Sequence, residues 1–521
     1  MKGLSTICLQ SSALAFLKIE MMSHFSGRQT KWPPLPWADN DLVKHITAET
    51  LTSHGDPELP PEQSIAIVES ICRNPSNSEI LHFLCEQRGK GNLFARAFPT
   101  DGDSLPATEE AWQSLFSSSD ATLSSCIGSV MSMLIVDGLG HSTEFVMVDM
   151  NRKLPWMPSS SYAPQQLPSP WVDWIAPEQP ARDALGIIGQ FRLKPGQWTD
   201  DSSMGLCLLD SLIAKPDFDA MDCMMRFVLW VSLGYNNAFG FDFKRRSDPS
   251  GFGQGSVGLG GNISMSISQF MMEPRGATAA GDFNTNGNGS VMRLCPVAVR
   301  FWRDRRRAME IAALSSLTTH QGIEAAMCCR LLAFVTCTMI AAAADVPAAQ
   351  RTQASFRLVF DQALAEFNTE PLPACDDPTR PDPSNGRPKQ AAHDAAVAAV
   401  RAIANSESQG EDRNWNWRDK AFTYSPSRSF SQRGYVGSYC MDAMSMAFYR
   451  CYHSEDYTDA VLRAAGMGGD ADSVGSIVGQ ILGAYYGHSA IPFSWARAVW
   501  NWEKGSVITR VRELHAIAAR E

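Results

Sequence analysis

The chain predicts an all-α fold, and three observations support this prediction. Its long periodic segments repeat apolar residues at helical spacing, whereas strand patterns are weak. From about residue 120 onward, small residues alternate with apolar ones, which is typical of closely packed helices. Hydrophobic residues make up 44% and charged residues 19% of the 521 residues, so the chain can bury a large core.

Eight segments have the helical period strongly enough to place a helix in each. They are 204–214, 221–234, 308–316, 322–344, 354–367, 440–453, 457–465 and 473–486. Three stretches rich in Pro, Gly, Ser or charge interrupt this pattern, at 151–182, 243–261 and 372–418. We expect all three to be surface insertions, the last with an Ala-rich helical piece from Ala391 to Ala404.

The length predicts one large domain with additions, or two to three domains. Residues 1–30 are expected to form a disordered or loosely helical tail, residues 31–118 a helical extension of unknown role, and residues 119–521 the main compact multi-helix domain. The Ser-rich, acid-free stretch 4–17 faintly resembles a targeting segment, but it lacks arginine and Glu20 follows closely. We expect a cytoplasmic protein and leave N-terminal organelle targeting open.

Charge and cysteine content limit the classes of partner. The net charge of −10 and the pI of about 5.6 give no support for direct nucleic-acid binding. The 13 cysteines have irregular spacing without a C-x-x-C motif, which favours reduced thiols in the core of an intracellular protein. No apolar run reaches the roughly 18–20 residues of a membrane span, so we expect no membrane partner. We also expect a monomer.

Three acidic clusters indicate the chemistry of the site. They are Gly468-Gly469-Asp470-Ala471-Asp472-Ser473, Trp198-Thr199-Asp200-Asp201-Ser202, and Glu144 shortly after Asp137. Carboxylates beside hydroxyls are the hard oxygen ligands that Mg²⁺, Mn²⁺ or Ca²⁺ prefers. If the clusters meet in space, they form a divalent-metal site and the protein is an enzyme.

The spacing of the acids predicts where they converge. Asp470 and Asp472, two residues apart, do not share a helix face, so they come together only where a loop turns into a helix. Gly466, Gly468 and Gly469 supply that loop, and Asp472 or Ser473 is the expected N-cap. Thr199, Asp200 and Asp201 precede the predicted helix 204–214 in the same way. Simple capping of each helix remains the alternative, whereas the ligand pattern of an EF-hand is incomplete here.

Other segments add candidate binding groups. Gly287 to Arg293 offers flexible backbone and amide donors for phosphate, or forms an ordinary loop into a helix. Gly253 to Gly258 formally matches a dinucleotide-binding pattern, but no strand precedes it and no βαβ unit surrounds it. His320, after Thr318-Thr319, is either a site imidazole or a structural histidine.

Taken in order, these segments resemble the ADP-ribosylglycohydrolase family from about Cys126 to Pro492. The matching segments are Cys126-Ile127-Gly128 through Gly140 with Glu144, Trp198 to Ser202, Asn288 to Pro296, Leu317 to His320, Gly434-Tyr435-Val436, and Gly468 to Gly487 with Ala490-Ile491-Pro492. The departures are mild, with Val136-Asp137 where the family has Gly-Asp and serine at Ser202 and Ser473 where it has threonine. The order of the six segments makes the resemblance specific.

The resemblance implies an all-α fold with two Mg²⁺ ions, or Mn²⁺ as an alternative, in a central cleft. Carried over residue by residue, the metal ligands are Thr199, Asp200, Asp201, Asp470, Asp472 and Ser473. The catalytic carboxylates are Glu144, Asp470 and Asp472. The residues that bind ADP-ribose, through backbone and amide groups and the imidazole, are Gly287, Asn288, Gly289, Ser290, Met292, His320, Gly434 and Tyr435.

The implied function is metal-dependent glycosidic cleavage that releases ADP-ribose from ADP-ribosylated protein side chains or a related compound. Two other functions stay open at this point: a non-catalytic, ADP-ribose-binding or structural member of the same fold, and a metal phosphohydrolase acting on nucleotides. The bond that is cut, Arg-linked, Ser-linked or other, is also open.

Overall fold

A computed structural model describes residues 106, 108–115, 121–145, 191, 193–239, 256–272, 276–282, 284–374, 389–410, 413–422, 437–503 and 505–520. The helices in these ranges are α1 Glu109–Gln113, α2 Ala121–Gly140, α3 Asp200–Ala214, α4 Ala220–Leu233, α5 Gly261–Met272, α6 Cys295–Phe301, α7 Arg305–Leu317, α8 Ile323–Asp345, α9 Gln353–Phe367, α10 Lys389–Asn405, α11 Cys440–His453, α12 Tyr457–Ala465, α13 Ala471–Tyr486, α14 Phe493–Glu503 and α15 Ser506–Arg520. Apart from short 3-10 turns and two isolated β-bridges, these ranges contain no other regular structure. The predicted all-α fold is confirmed.

All eight helices predicted from periodicity are present, and α11 and α12 have the predicted ends. The largest difference is at the start of α3, which begins at Asp200 rather than at 204. Its N-cap is Thr199, whose side chain makes no capping hydrogen bond. The periodicity missed this first turn because its residues are polar and yet buried. Helix α5 was not predicted at all.

Helices α2 and α13 form the centre of the domain and run antiparallel in close contact. Glycines make the approach possible, since a Cβ on Gly483 would lie 2.2 Å from the Gly128 carbonyl oxygen. A Cβ on Gly479 would lie 2.5 Å from the Ser132 oxygen, and one on Gly140 would lie 2.6 Å from the Asp472 Cα. The small residues of the two helices therefore face each other, and this packing brings the end of α2 beside the start of α13.

Two central helices are long and apolar enough to cross a membrane by length and composition alone, which corrects the expectation that no such stretch exists. They are α2, with mean hydropathy 1.5, and α8, with mean hydropathy 1.9. The protein itself buries 94% and 83% of their apolar windows. Such burial is the pattern of core helices.

Two of the expected surface insertions are partly wrong. The end of 243–261 is inside the domain, since Ser256 and Val257 are buried. In 372–418, the Ala-rich piece forms helix α10 as expected, but it packs against α8, and Trp415 and Trp417 are fully buried. Composition marked these segments as loops and could not show that their apolar side chains complete the core. The third insertion, 151–182, lies outside the described residues, as do the tail 1–30 and residues 31–105.

The last part of the predicted extension packs onto the main domain. In α1, Trp112 is fully buried, its indole N–H donates to the Ile491 carbonyl (3.2 Å), and its ring lies edge-on to His488. His488 Nε2 lies 3.0 Å from the Trp112 carbonyl oxygen, and Nδ1 lies 2.7 Å from Ser124 Oγ. The imidazole therefore joins α1 to the start of α2 and the turn after α13.

His488 predicts a loss of stability in mild acid. Burial lowers the pKa of His488 from 6.5 to about 4, and the hydrogen bond to the Trp112 carbonyl opposes this shift. In the unfolded chain the His488 imidazole is protonated below about pH 6.5, whereas in the folded protein it is protonated only below about pH 4. This linkage costs about 2 kcal/mol of unfolding free energy between pH 6.5 and 5, at about 1.4 kcal/mol per pH unit.

Urea unfolding of the wild type and of His488→Gln at pH 6.5 and pH 5 measures the contribution of His488 to the pH dependence of the unfolding free energy. Other groups contribute equally to both proteins, so the difference between their pH dependences isolates His488. We expect the variant to lose about 2 kcal/mol less than the wild type on acidification. Equal losses would contradict the assignment.

Candidate metal centre and active site

Six carboxyl groups gather where α2, α3 and α13 meet. The structure brings together Asp137, Glu144, Asp200, Asp201, Asp470 and Asp472. All five aspartates are buried, and Glu144, in the turn after α2, is partly exposed. The three acidic clusters of the sequence therefore meet in space, with Asp137 added to them.

Asp137 holds the first turn of α3 in place. Its carboxylate accepts hydrogen bonds from the backbone N–H groups of Thr199 and Ser202, each at about 3.0 Å, and from their hydroxyls at 2.7 and 2.6 Å. The N-terminus of α3 is thus capped by a side chain of α2 rather than by its own residues. This arrangement leaves the carboxylates of Asp200 and Asp201 without a capping role.

A tight turn aims the acids of α13. Gly468 and Gly469 both have positive φ (71° and 61°), a conformation that favours glycine. The Gly469 carbonyl accepts from the Phe145 N–H at 2.6 Å, which fixes the turn that contains Glu144. Helix α13 begins at Ala471 with Asp470 as its N-cap residue, so the predicted cap at Asp472 or Ser473 is wrong. The Asp470 side chain makes no capping bond, which argues against simple capping as its role.

The carboxylates form two groups of three that share Asp472. In one, oxygens of Asp137, Asp201 and Asp472 lie within 4.8 Å of one another; in the other, oxygens of Glu144, Asp470 and Asp472 do. Each group has the size and oxygen chemistry of a divalent-cation site. Asp472 is the residue common to both groups.

The carboxyl groups oppose each other's ionisation. Burial, then the charges of Glu144 and Asp201, raises the pKa of Asp472 well above its usual value. Burial also raises the pKa of Asp200 and Asp201, with further contributions from neighbouring carboxylates. Burial raises the pKa of Asp137 to about 6 although Ser202 and Thr199 donate to it. Cations among these oxygens would stabilise the charged form of the cluster.

The residues present fit a divalent cation by two further observations. Oδ1 of Asp201 is buried without a hydrogen-bond partner in the part of the chain that the structure describes. Within the same residues, no Lys or Arg forms an ion pair with Asp200, Asp201, Asp470 or Asp472. A buried anionic oxygen without a donor is costly, and a metal ion removes this cost.

Two predicted metal ligands with hydroxyl groups, Thr199 and Ser473, lie beside the carboxylates at the starts of α3 and α13. Thr199 Oγ1 donates to Asp137 at 2.7 Å, and Ser473 Oγ points to the Met292 sulfur at 3.4 Å. Both oxygens keep lone pairs that a cation can use. Their part in metal binding stays a prediction.

The loop Gly287–Met292 lies beside α13. The Asn288 side-chain amide donates to Asp470 Oδ2 at 2.9 Å, and its backbone N–H donates to the Ser438 carbonyl at 2.8 Å. Asn288 therefore orients Asp470, a role that the sequence did not indicate. Its predicted contact with ADP-ribose stays a prediction.

Two other residues of the loop face the interior. Ser290 Oγ lies 2.8 Å from Ser316 Oγ, and the Met292 carbonyl accepts from Gln480 at 2.5 Å. Both side chains are buried, and the part of these two residues in ADP-ribose binding stays a prediction. His320 lies against Gly287 and Gly289, and its contact with ADP-ribose stays a prediction. Gly434 and Tyr435 lie outside the described residues.

Gly258 supports one wall of the centre. A Cβ on this glycine would lie 1.9 Å from Asp200 Oδ1, and its φ of 82° disfavours any side chain. The sequence placed Gly258 in a weak dinucleotide pattern and could not show that it packs on a carboxylate. The sequence analysis named Asp137 only as the acid before Glu144 and gave it no role, although it is the one acid within the apolar stretch of α2.

Gly258→Ala is therefore expected to displace Asp200 and to weaken Mn²⁺ binding by about 10-fold or more. Calorimetric titration with Mn²⁺ measures the effect. Gly260→Ala is the matched control, because a Cβ at Gly260 meets nothing within 4 Å. Equal affinities in the two variants would contradict a metal role for Asp200.

Fold and site together define a helical protein with a buried carboxylate centre suited to divalent cations. A family model described as ADP-ribosylglycohydrolase matches residues 118–520. The chain belongs to the ADP-ribosylglycohydrolase family, and the resemblance of its motifs is confirmed.

The chain is also similar to three named relatives. ADP-ribosylarginine hydrolase Tri1 of Pseudomonas putida (strain GB-1) is 28% identical over 318 residues, 60% of this chain and 65% of the relative. ADP-ribosyl-[dinitrogen reductase] glycohydrolase of Rhodospirillum rubrum is 24% identical over 59% of this chain and 75% of the relative. ADP-ribosylhydrolase ARH3 of Homo sapiens is 22% identical over 64% and 82%. The chain thus spans slightly less than two thirds of the Tri1 relative.

Proposed function

We propose that the protein is a hydrolase that releases ADP-ribose from ADP-ribosylated protein side chains, or from a related ADP-ribosyl compound, by cleaving a glycosidic bond. The observation that supports this most is the carboxylate centre, with two acidic triads sharing Asp472 beside the loop Gly287–Met292. Family membership and the activities named for the relatives support the same reaction.

Mg²⁺, with Mn²⁺ as an alternative, is the cofactor that the oxygen ligands favour. The residues that would hold two ions are Thr199, Asp200, Asp201, Asp470, Asp472 and Ser473. Bound there, the cations supply Lewis acidity and positive charge that offsets the buried carboxylates.

The protein's own residues then have distinct roles. Asp137 fixes the first turn of α3 and with it Asp200 and Asp201, while Asn288 fixes Asp470. These bonds hold the carboxylates in position before substrate arrives, which reduces reorganisation during the reaction.

Cleavage of a glycosidic bond leaves positive charge on the ribose, and nearby carboxylates stabilise it. Glu144 is the carboxyl of the cluster that reaches solvent, so it is the group best placed to exchange a proton with substrate or water. Asp470 and Asp472 are the other candidates for acid or base. The loop Gly287–Met292 and His320 would bind the ADP-ribose.

A panel of ADP-ribosylated peptides, Arg-linked and Ser-linked, tests the function. With Mg²⁺ we expect release of free ADP-ribose from at least one linkage, and none with chelator. ADP-ribose binding that needs Mg²⁺, without release from any peptide or small ADP-ribosyl compound, would replace the proposal by a non-catalytic binding protein. The relative named an ADP-ribosylarginine hydrolase favours the Arg-linked peptide.

A further inference from the structure

His320 has two ring nitrogens in different surroundings. Nδ1 lies 2.8 Å from Thr319 Oγ1. Nε2 has no hydrogen-bond partner among the described residues and lies 3.1 Å from a Cβ position on Gly287 and 3.4 Å from one on Gly289. The residue is 2% exposed, so its ring is held in one place. One nitrogen is therefore engaged by the protein and the other faces the loop of the candidate binding site.

Counting protons at Thr319 determines which nitrogen carries the hydrogen. Its hydroxyl accepts from Arg293 Nη2 at 2.8 Å, and Arg293 can only donate. Apart from Arg293, Nδ1 of His320 is the only group that the described residues place within hydrogen-bond distance of this hydroxyl. If Nδ1 carried a proton, the buried hydroxyl hydrogen would have no acceptor, at a cost of about 1–3 kcal/mol. The hydroxyl must donate to Nδ1, and the ring proton then resides on Nε2.

Arg293 holds Thr319 in this role. Its guanidinium is fully buried, donates to the Ser315 carbonyl and to the hydroxyls of Thr318 and Thr319, and lies over the Phe227 ring at 4.6 Å. Burial and then the charge of Arg293 lower the pKa of His320 from 6.5 to about 3. A neutral imidazole is the consequence at physiological pH.

We infer that Thr319, anchored by Arg293, is a positioning residue that holds His320 as the Nε2–H tautomer. The imidazole then offers an uncharged hydrogen-bond donor to an acceptor oxygen of the ligand at Gly287–Gly289. That this ligand is ADP-ribose rests on the proposed function, whereas the tautomer does not. A charged imidazole would repel the buried guanidinium of Arg293. Keeping His320 neutral therefore avoids two positive charges in one buried site.

Nitrogen-15 NMR of histidine-labelled protein tests the tautomer directly, with the His320 signals identified by their loss in His320→Asn. We expect Nδ1 of the wild type to show the shift of an unprotonated nitrogen and Nε2 that of a protonated one. A protonated Nδ1 would overturn the inference. This measurement needs no variant of Thr319 and no turnover. Failure of the proposed function therefore cannot be confused with a wrong assignment of the His320 tautomer.

Thr319→Val and Thr318→Val form a matched pair for the binding effect. Both remove a buried hydroxyl that accepts from Arg293, but only Thr319 contacts the imidazole, since Thr318 donates to the Ser315 carbonyl. We expect Thr319→Val alone to change the His320 signals and to weaken ADP-ribose binding by about 10-fold in calorimetry. Thr319→Ser should restore both. Equal effects of the two valine variants on the His320 signals would show that Thr319 has no special role.

Discussion

Asp472→Asn should reduce ADP-ribose release on the order of 1,000-fold or more. Asp472 is the one residue common to both carboxylate triads, so its loss removes a ligand from both predicted cation positions at once. Asparagine keeps the size of the side chain but contributes only a neutral oxygen. Initial rates with the reactive peptide at saturating Mg²⁺ measure the effect.

The same variant should not be less stable than the wild type in chelator. The raised pKa of Asp472 means that its charged form is unfavourable in the folded protein, and asparagine removes this charge. Thermal unfolding therefore separates loss of chemistry from loss of fold. Asp345→Asn, at the exposed end of α8, is the control and should release ADP-ribose at the wild-type rate. Release of ADP-ribose at the wild-type rate by Asp472→Asn would refute the assignment of Asp472 to the active centre. The same rate in the double variant with Asp470→Asn would refute the assignment of both residues.

Gly483→Ala should cost about 3 kcal/mol of unfolding free energy. Its Cβ would lie 2.2 Å from the Gly128 oxygen and 2.5 Å from the Gly128 carbonyl carbon, both backbone atoms that cannot move without separating α2 from α13. Because these helices position Asp137 and Asp472, the separation should also weaken metal binding. Urea unfolding measures the first effect and Mn²⁺ titration the second.

Gly205→Ala is the matched control for this prediction. Gly205 is also a buried glycine within a helix, but its Cβ would meet the flexible end of the Met133 side chain, at 2.5 Å from Cε. Methionine can change rotamer, so we expect a loss of about 1 kcal/mol or less. If both variants lost the same stability, the close approach of α2 and α13 would not be what limits the core.

The sequence predicted most helices because their apolar period is long and regular, as in α8 and α11. The prediction failed where polar residues are buried, or where buried apolar residues lie in a segment of polar, loop-like composition. The first turn of α3 is polar but buried, and Trp415 and Trp417 lie in a segment whose composition is that of a loop. In both cases long-range packing decides, and local pattern contains no information on it.

The site shows the same division. The motifs named the acids at Glu144, Asp200, Asp201, Asp470 and Asp472, and the structure brings them together. They could not show that Asp137 caps α3, that Asn288 holds Asp470, or that Gly258 packs on Asp200. Each of these contacts joins residues far apart in the chain, so spacing in the sequence does not reveal them.

Anomalous diffraction at the manganese edge, on crystals soaked in Mn²⁺, tests whether the carboxylate centre binds two cations. We expect two neighbouring peaks, one contacted by oxygens of Asp201 and Asp472 and the other by oxygens of Asp470 and Asp472. Asp472→Asn crystals should lose occupancy at both. No peak among these carboxylates in crystals of active protein, or full release of ADP-ribose in chelator, would contradict a two-cation centre.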